Sequence, residues 1–176
     1  MVFSDESRFC LHRSDGRVYV RRMVGEELKE DCVQSTVKHG GGGIMVWGCI
    51  NARGVGILSK IDGRLHGEAY IDILENALIP ITHMPAIPNG WIFQQDNATC
   101  HTSRLVKDWL EEENITVMDW PAQSPDLNPI GNLWDQLKTL VQEQNPTNRK
   151  ELWTVVKAAW QSLPLNRLTK FKKQYV

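Results

Sequence analysis

Runs of apolar residues and β-forming residues in the first third of the chain predict strands. Residues 2–5 and 9–12 place apolar side chains on either side of a polar break, and residues 18–20 resume with β-formers after a turn, which predicts a hairpin. Residues 44–50 are apolar throughout, a pattern typical of a strand buried on both faces. Residues 55–61 follow a turn and are expected to form the antiparallel neighbour of that strand.

Helical spacing appears after this meander of strands. In residues 66–78 the apolar side chains recur on one helical face, and the prolines that follow are expected to end the helix. Residues 101–113 and 148–163 have the spacing of two more helices, whereas residues 91–96 and 115–118 read as short strands. The alternation predicts the α/β class, with one mixed five-stranded sheet and flanking helices.

Composition limits the class of protein. The 176 residues are 41% apolar and include seven tryptophans, which suits one globular domain with a core of its own. No run of 18 apolar residues is present, and the N-terminus has no basic-then-apolar secretory pattern. The four cysteines form no CxxC pair, which disfavours a zinc cage or a disulfide framework and favours a reducing compartment.

The net charge of −1 conceals a gradient along the chain. Seven of the 20 basic side chains, but only one of the 21 acidic ones, lie after residue 148. A basic end on an acidic body is either a contact for a polyanion or a solvated helix face with a frayed terminus. A near-neutral total predicts weak DNA binding by this chain alone. The candidate DNA-binding residues are Arg167, Lys170, Lys172 and Lys173.

Two acids stand at the ends of predicted strands. Asp5 closes the first apolar strand, and Asp96 follows the apolar stretch that begins at Trp91. Ligand sites of open sheets gather at the carboxyl ends of strands, so two such carboxylates could share a divalent cation. The other reading of each residue is a turn former or a cap. Spacing alone leaves both readings open.

Four sequence blocks closely resemble the catalytic domain of mariner-like DDE transposases, best in the branch named after the nematode Tc elements. They stand in the family's order, and the resemblance runs from about residue 2 to about residue 170. The blocks are FSDES at residues 3–7, VKHGGGGIMVWGC at residues 37–49, QQDNA at residues 94–98 with His101, and WPAQSPDLNPI with NLW at residues 120–134.

The resemblance implies a ribonuclease H-like fold with three acids, Asp-Asp-Glu, around two Mg²⁺ or Mn²⁺ ions. Such enzymes cut DNA at transposon ends and join the freed 3′-hydroxyl to target DNA, in the nucleus and with homodimers among their assemblies. Asp5 matches the first acid and Asp96 the second, so both are candidate metal ligands. The glutamate position is occupied by Gly131. The third acid of the catalytic set is therefore missing.

A further helix is predicted after the loop at residues 121–126, and its start shows what this glycine removes. Asn128 is expected as the N-cap and Pro129 as the first helical residue, which makes Gly131 the third. A glutamate there would serve either a capping box or the metal, and glycine serves neither. Because positioning of ions and reacting oxygens is most of the catalysis in phosphoryl transfer, we expect activity to fall by orders of magnitude or to vanish.

Neighbouring acids are not expected to replace the missing one. Asp135 lies one helical turn further on, about 6 Å along the axis, and its side chain is shorter than that of glutamate. Asp126 precedes the helix and is expected to bond within the loop. Glu6 should point to the opposite face of the sheet from Asp5. His101 is expected either to orient an active-site group or to have a structural role.

Family members carry paired helix-turn-helix modules before the catalytic domain, and this chain begins four residues before Asp5. We therefore expect residues 1–176 to be a catalytic domain without those modules. With Gly131, this fits a decayed or domesticated remnant, or a deliberately inactivated fragment. The predicted function is metal-dependent DNA cleavage and strand transfer, catalytically impaired. The alternative is a non-catalytic module for DNA binding or self-association, and neither reading involves a membrane.

Overall fold

The computed structural model of the chain describes residues 1–11, 42–82, 87, 90–121, 124 and 127–163. Its strands are β1 Val2–Cys10, β2 Gly43–Asn51, β3 Gly54–Val55, β4 Ser59–Ile61, β5 Ile92–Gln94 and β6 Thr116–Val117. Its α-helices are α1 Gly67–Ile73, α2 Ile79–Thr82, α3 Arg104–Glu112, α4 Ile130–Glu143 and α5 Arg149–Gln161, with a π-helical segment Leu74–Leu78 between α1 and α2. None of the helices in these ranges has both the length and the hydropathy to cross a membrane.

β1 is the central strand of a mixed sheet. It pairs antiparallel with β2 along its whole length, from Val2 opposite Asn51 to Cys10 opposite Gly43. On its other side β1 runs parallel to β5, which runs parallel to β6. The order is β3-β2-β1-β5-β6, and β4 also pairs with β2. The predicted mixed sheet with flanking helices is confirmed.

The sheet has six strands in the described residues instead of five, because the strand predicted at residues 55–61 is interrupted. Gly56 lies outside both strands, and its N–H donates to the carbonyl of Cys49 at 2.7 Å. The backbone there approaches so closely that a Cβ on Gly56 would lie 2.4 Å from the Cys49 sulfur. The chain therefore forms β3 and β4 separately, both on β2.

β1 shows no break where the sequence predicts a polar kink. All nine residues pair with β2, and the polar Ser4 and Ser7 are buried. The Ser4 hydroxyl donates to the carbonyl of Gln94 at 2.8 Å, so its burial leaves no unsatisfied group. The hairpin partner predicted at residues 18–20 lies outside the described residues.

The helix predicted at residues 66–78 continues past its expected end. His66 caps it through Nδ1, which accepts from the Ala69 N–H at 3.4 Å. Pro80 is the second residue of α2 instead of a terminator. The turn before it is the π-helical segment, in which the Ile79 N–H reaches the Leu74 carbonyl. A locally widened helix thus precedes the residue that has no N–H to donate.

Helices cover both faces of the sheet. On one face α4 and α5 pack on β1 and β2, and Trp134 stacks on Trp160 with ring centroids 4.9 Å apart. On the other face α1 and α3 pack over Trp47, which is fully buried. All three tryptophans are buried in the core. Trp109 is only partly buried, and its indole N–H donates to Glu75 at 3.3 Å.

Candidate active site

The parallel pairing of β1 and β5 brings the segments that hold Asp5 and Asp96 together. Phe3 lies opposite Gln94, where β5 ends, and each acid follows its residue of that pair by two positions. Adjacent strands are about 4.8 Å apart, so we expect the two carboxylates to lie close together. The negative charge of Asp96 is the last and smallest of the causes of the raised pKa of Asp5.

Asp5 points to the face covered by α4 and is held there by a tryptophan. The indole N–H of Trp134 donates to Asp5 Oδ2 at 3.0 Å. Trp134 is fixed in turn between Trp160 and the backbone of Gly48, where an added Cβ would lie 2.8 Å from the ring. Burial, followed by the charge of Glu6, raises the pKa of Asp5 to about 6. An ionised Asp5 is therefore costly unless a cation lies beside it.

Asp96 follows β5 and is fixed through one of its two oxygens. Oδ1 accepts from the Nδ1 of His101 at 2.7 Å and from the N–H of Ala98 at 3.0 Å. The bond from His101, followed by the one from Ala98, lowers the pKa of Asp96 against the effect of burial. Its side chain is half exposed. Within the described residues Oδ2 has no hydrogen-bond partner.

His101 connects Asp96 to Glu6 across the sheet. It is 2% exposed, its Nε2 lies 3.2 Å from Glu6 Oε1, and its ring lies 4.1 Å from the ring of Tyr70. Burial alone would lower the pKa of His101, but the hydrogen bonds to Asp96 and Glu6 outweigh it and raise the pKa to about 10. The imidazole is therefore charged at neutral pH, and both ring nitrogens donate. This geometry orients the Asp96 carboxylate.

Glu6 lies on the opposite face from Asp5, as the alternation of the strand predicts. It contacts His101 beside Tyr70, whereas Asp5 contacts Trp134 on the α4 face. Glu6 therefore does not join Asp5 around a common ion. Among the described residues no group of three or more His, Cys, Asp or Glu side chains has an arrangement that could hold a metal.

Gly131 lies in the first turn of α4 and has open space where a side chain would be. A Cβ built on it meets nothing within 4 Å. Gly131 is three residues before Trp134, so the two positions lie on one face of α4, and Trp134 touches Asp5. Asp135, the candidate replacement, is exposed. Asp126 and the four basic residues of the predicted DNA contact lie outside the described residues.

The start of α4 differs from the prediction by one residue. The helix begins at Ile130, with Pro129 in the N-cap place, so Gly131 is its second residue and not its third. Asn128 still caps it, because its Oδ1 accepts from the Ile130 N–H at 3.3 Å. Its Nδ2 donates to the carbonyl of Ser4 at 3.3 Å, which ties the helix start to β1.

Three functional contacts lie beyond the reach of the sequence. Glu6 and Tyr70 meet His101 only because the sheet brings distant segments together. Trp134 belongs to the NLW block, which signals that it is important without showing that it bonds to Asp5. No local pattern distinguishes Tyr70 from any other core residue of an amphipathic helix.

The antiparallel β1–β2 pair and the parallel β1–β5–β6 part, with helices on both faces, have the architecture of a ribonuclease H-like domain. The family model described as DDE superfamily endonuclease matches residues 1–162. The chain belongs to this DDE family, in agreement with the resemblance seen in the sequence.

Two similar relatives are transposases from nematodes. The Tcb1 transposase of Caenorhabditis briggsae is 38% identical over 164 residues, which cover 93% of this chain and 60% of that protein. The Tc1 transposase of Caenorhabditis elegans is 37% identical, over 96% of this chain and 62% of that protein. The chain thus spans about 60% of the length of these relatives.

Solved structures of the Mos1 mariner transposase share the fold. Its paired end complex with Mn superposes with a TM-score of 0.76 at 20% identity, over 98% of this chain and 51% of that chain. Its isolated catalytic domain superposes with a TM-score of 0.63 at 17% identity, over 96% of this chain and 73% of that chain. These matches confirm the ribonuclease H-like fold.

Proposed function

We propose that this chain is a transposase catalytic domain for metal-dependent DNA cleavage and strand transfer that is catalytically impaired at Gly131. The observation that supports the proposal is the parallel pairing of β1 with β5, the strands that position Asp5 and Asp96, together with the open space at Gly131. The relatives are named transposases, and the family is described as endonucleases.

The residues at this edge fit one divalent ion. Mg²⁺ is commonly held by one or two carboxylates together with waters and substrate phosphates, and Asp5 and Asp96 supply such a pair. When bound, the ion would supply Lewis-acid activation of an attacking oxygen and stabilisation of the leaving oxygen. Structures of Mos1 paired end complexes are titled with Mn and with Mg.

The chain's own contribution is to hold these two carboxylates in fixed orientations. Trp134 fixes Oδ2 of Asp5, and His101 with Ala98 fixes Oδ1 of Asp96. A third carboxylate at position 131 would complete the anionic set around the reacting phosphodiester. Without it, positioning of the in-line oxygens is incomplete, and the rate falls by orders of magnitude.

The proposed substrates are transposon-end and target DNA, and the proposed place of action is the nucleus. The Mos1 structures are titled as paired end and strand transfer complexes, which supports DNA and a second copy of the chain as partners. Gly131 also favours a second candidate, a non-catalytic module for DNA binding or self-association. In that case the chain keeps the fold and its surfaces but does not catalyse DNA cleavage or strand transfer.

Nicking of supercoiled plasmid in Mn²⁺ tests the proposal. Parent, Gly131→Glu and Gly131→Gln are compared, because glutamine has the size of glutamate without its charge. We expect a rate at least 100-fold above the parent for Gly131→Glu only, with its activity lost on adding Asp96→Asn. A parent that nicks as fast as Gly131→Glu would overturn the impairment, and an inactive Gly131→Glu would favour the non-catalytic candidate.

A further inference from the structure

A groove with a volume of about 350 Å³ lies where β1, β2, β4 and the start of α5 meet. Three cationic side chains line it, each from a different element: Arg8 of β1, Lys60 of β4 and Arg149 of α5. Neither Asp5 nor Asp96 lines the groove. Arg8 lies three residues beyond Asp5 on the same strand, about 10 Å along it, and the alternation of the strand places its side chain on the face of Glu6. Lys60 lies opposite Val46 and Arg149 begins α5, so these two cations belong to the face to which Asp5 points.

Cross-strand register places part of the groove lining on one face of the sheet. Arg8 lies opposite Met45, and Met45 lies opposite Ile61, so these three residues form a row across the sheet. The helices that cover this face pack over Trp47, and Met45 at the other end remains 40% exposed. At Gly43 the absence of a side chain is required, since a Cβ there would lie 2.6 Å from the Phe9 carbonyl.

Only one of the three cations has an acidic partner among the described residues. Among the described residues neither Arg8 nor Arg149 has an ion-paired or side-chain hydrogen-bond partner. Lys60 pairs with Asp62 at 2.6 Å, but the Asp62 side chain is 82% exposed and can turn to solvent. Such a concentration of positive charge in a chain of net charge −1 indicates an anionic ligand.

The chemistry of the lining selects phosphate oxygens. Arginine presents five N–H donors in a planar fork that matches a phosphate or carboxylate, and lysine adds a point charge. With donors coming from three elements, the groove can contact more than one oxygen of an extended anion. An open groove of this kind is better suited to a polymer backbone than to a small molecule, which needs an enclosing pocket.

We propose that Arg8, Lys60 and Arg149 bind the phosphodiester backbone of DNA next to the bond that reacts at Asp5 and Asp96. This inference rests on the proposed function and adds a contact that the sequence had not indicated. The separation of about 10 Å corresponds to about three nucleotides at 3.4 Å of axial rise each. The groove therefore contacts flanking DNA, whereas the carboxylates face the reacting phosphodiester.

The test is binding of a labelled 20-base-pair duplex of random sequence to the full chain over a series of NaCl concentrations, in EDTA. For Arg8→Gln/Arg149→Gln we expect at least a tenfold loss of affinity, and a slope of log K against log salt that is shallower by about 2. Asp62→Asn removes the one acid of the groove and is expected to tighten binding. Arg104→Gln/Lys107→Gln removes two exposed cations of α3 and is the control matched in charge.

Three outcomes would contradict DNA binding in the groove. They are a parent that does not bind the duplex, a groove variant with the parent's affinity and slope, or an equal loss in the control. Competition by millimolar inorganic phosphate as strong as that by the duplex would assign the site to the free anion. The proposed function fails on a different result. A Gly131→Glu protein without nicking activity contradicts that function. Loss of DNA binding in the groove variant would still support the groove as a DNA contact.

Discussion

Replacement of Asp5 by asparagine should stabilise the metal-free protein at high pH and have little effect at low pH. The pKa of Asp5 is raised by burial from its usual 3.8 to about 6. A raised pKa means that the folded state favours the protonated form, so stability is fully present below pH 3.8 and is lost as the pH rises through 6. The shift corresponds to about 3 kcal/mol at 1.36 kcal/mol per pKa unit.

Asparagine preserves the local contact while removing the charge. Its side-chain oxygen can still accept the indole N–H that Trp134 donates to Asp5 Oδ2. We therefore expect Asp5→Asn to raise the free energy of unfolding by about 2–3 kcal/mol at pH 8, and by under 1 kcal/mol at pH 4.

Urea unfolding in EDTA at pH 4 and pH 8 measures this difference, with Asp135→Asn as an exposed control on α4. The control should change stability by no more than about 0.5 kcal/mol at either pH. An Asp5→Asn protein that is destabilised at pH 8, or that gains equally at both values, would refute a desolvated carboxylate at this position. Added Mg²⁺ should stabilise the parent more than the variant, because only the parent keeps both carboxylates.

The same structure makes three further predictions. Trp134→Phe removes a hydrogen-bond donor to a carboxylate, so in urea unfolding it should lower the free energy of unfolding by about 1.5–3 kcal/mol more at pH 8 than at pH 4. Trp160→Phe loses a hydrogen bond to a carbonyl and should show no such pH dependence. His101→Gln should be destabilising at pH 6, where the imidazolium bonds two carboxylates, and its effect should shrink as the pH rises through the folded pKa of about 10; a pH-independent loss would contradict a charged His101. Gly131→Ala should raise thermal stability by up to about 1 kcal/mol because its Cβ meets open space. Gly48→Ala should lower thermal stability, because its Cβ would lie 2.8 Å from Trp134. Equal effects of the two variants would be inconsistent with this packing.

Much of the sheet follows from local pattern. The apolar run at residues 44–50 predicts a strand buried on both faces, and Val46, Trp47 and Cys49 are fully buried on alternate sides. The parallel pairing of the strand that contains Asp5 with the strand that precedes Asp96 also agrees with the predicted α/β alternation, although Asp5 is the fourth of the nine residues of β1 and does not close it as predicted. What these elements share is that a local period carries the information.

Other features depend on contacts between distant segments. The unbroken β1 was not predicted, since residues 6–8 look like a polar break until their pairing with β2 is known. The bond between His101 and Glu6 joins residues 95 positions apart and requires the register of the whole sheet. The continuation of the helix past Pro80 depends on a π-helical turn that no residue pattern predicts.

Strand joining by the Gly131→Glu variant tests the central claim most directly. Labelled pre-cut transposon ends of a Tc1-type element, with free 3′-hydroxyls, are incubated with target plasmid and Mn²⁺, and joined product is followed in a single turnover. We expect Gly131→Glu to join ends at least 100-fold faster than both the parent and Gly131→Gln. A parent that joins at the rate of Gly131→Glu, or a Gly131→Glu protein that joins no ends, would contradict a transposase core disabled at one position.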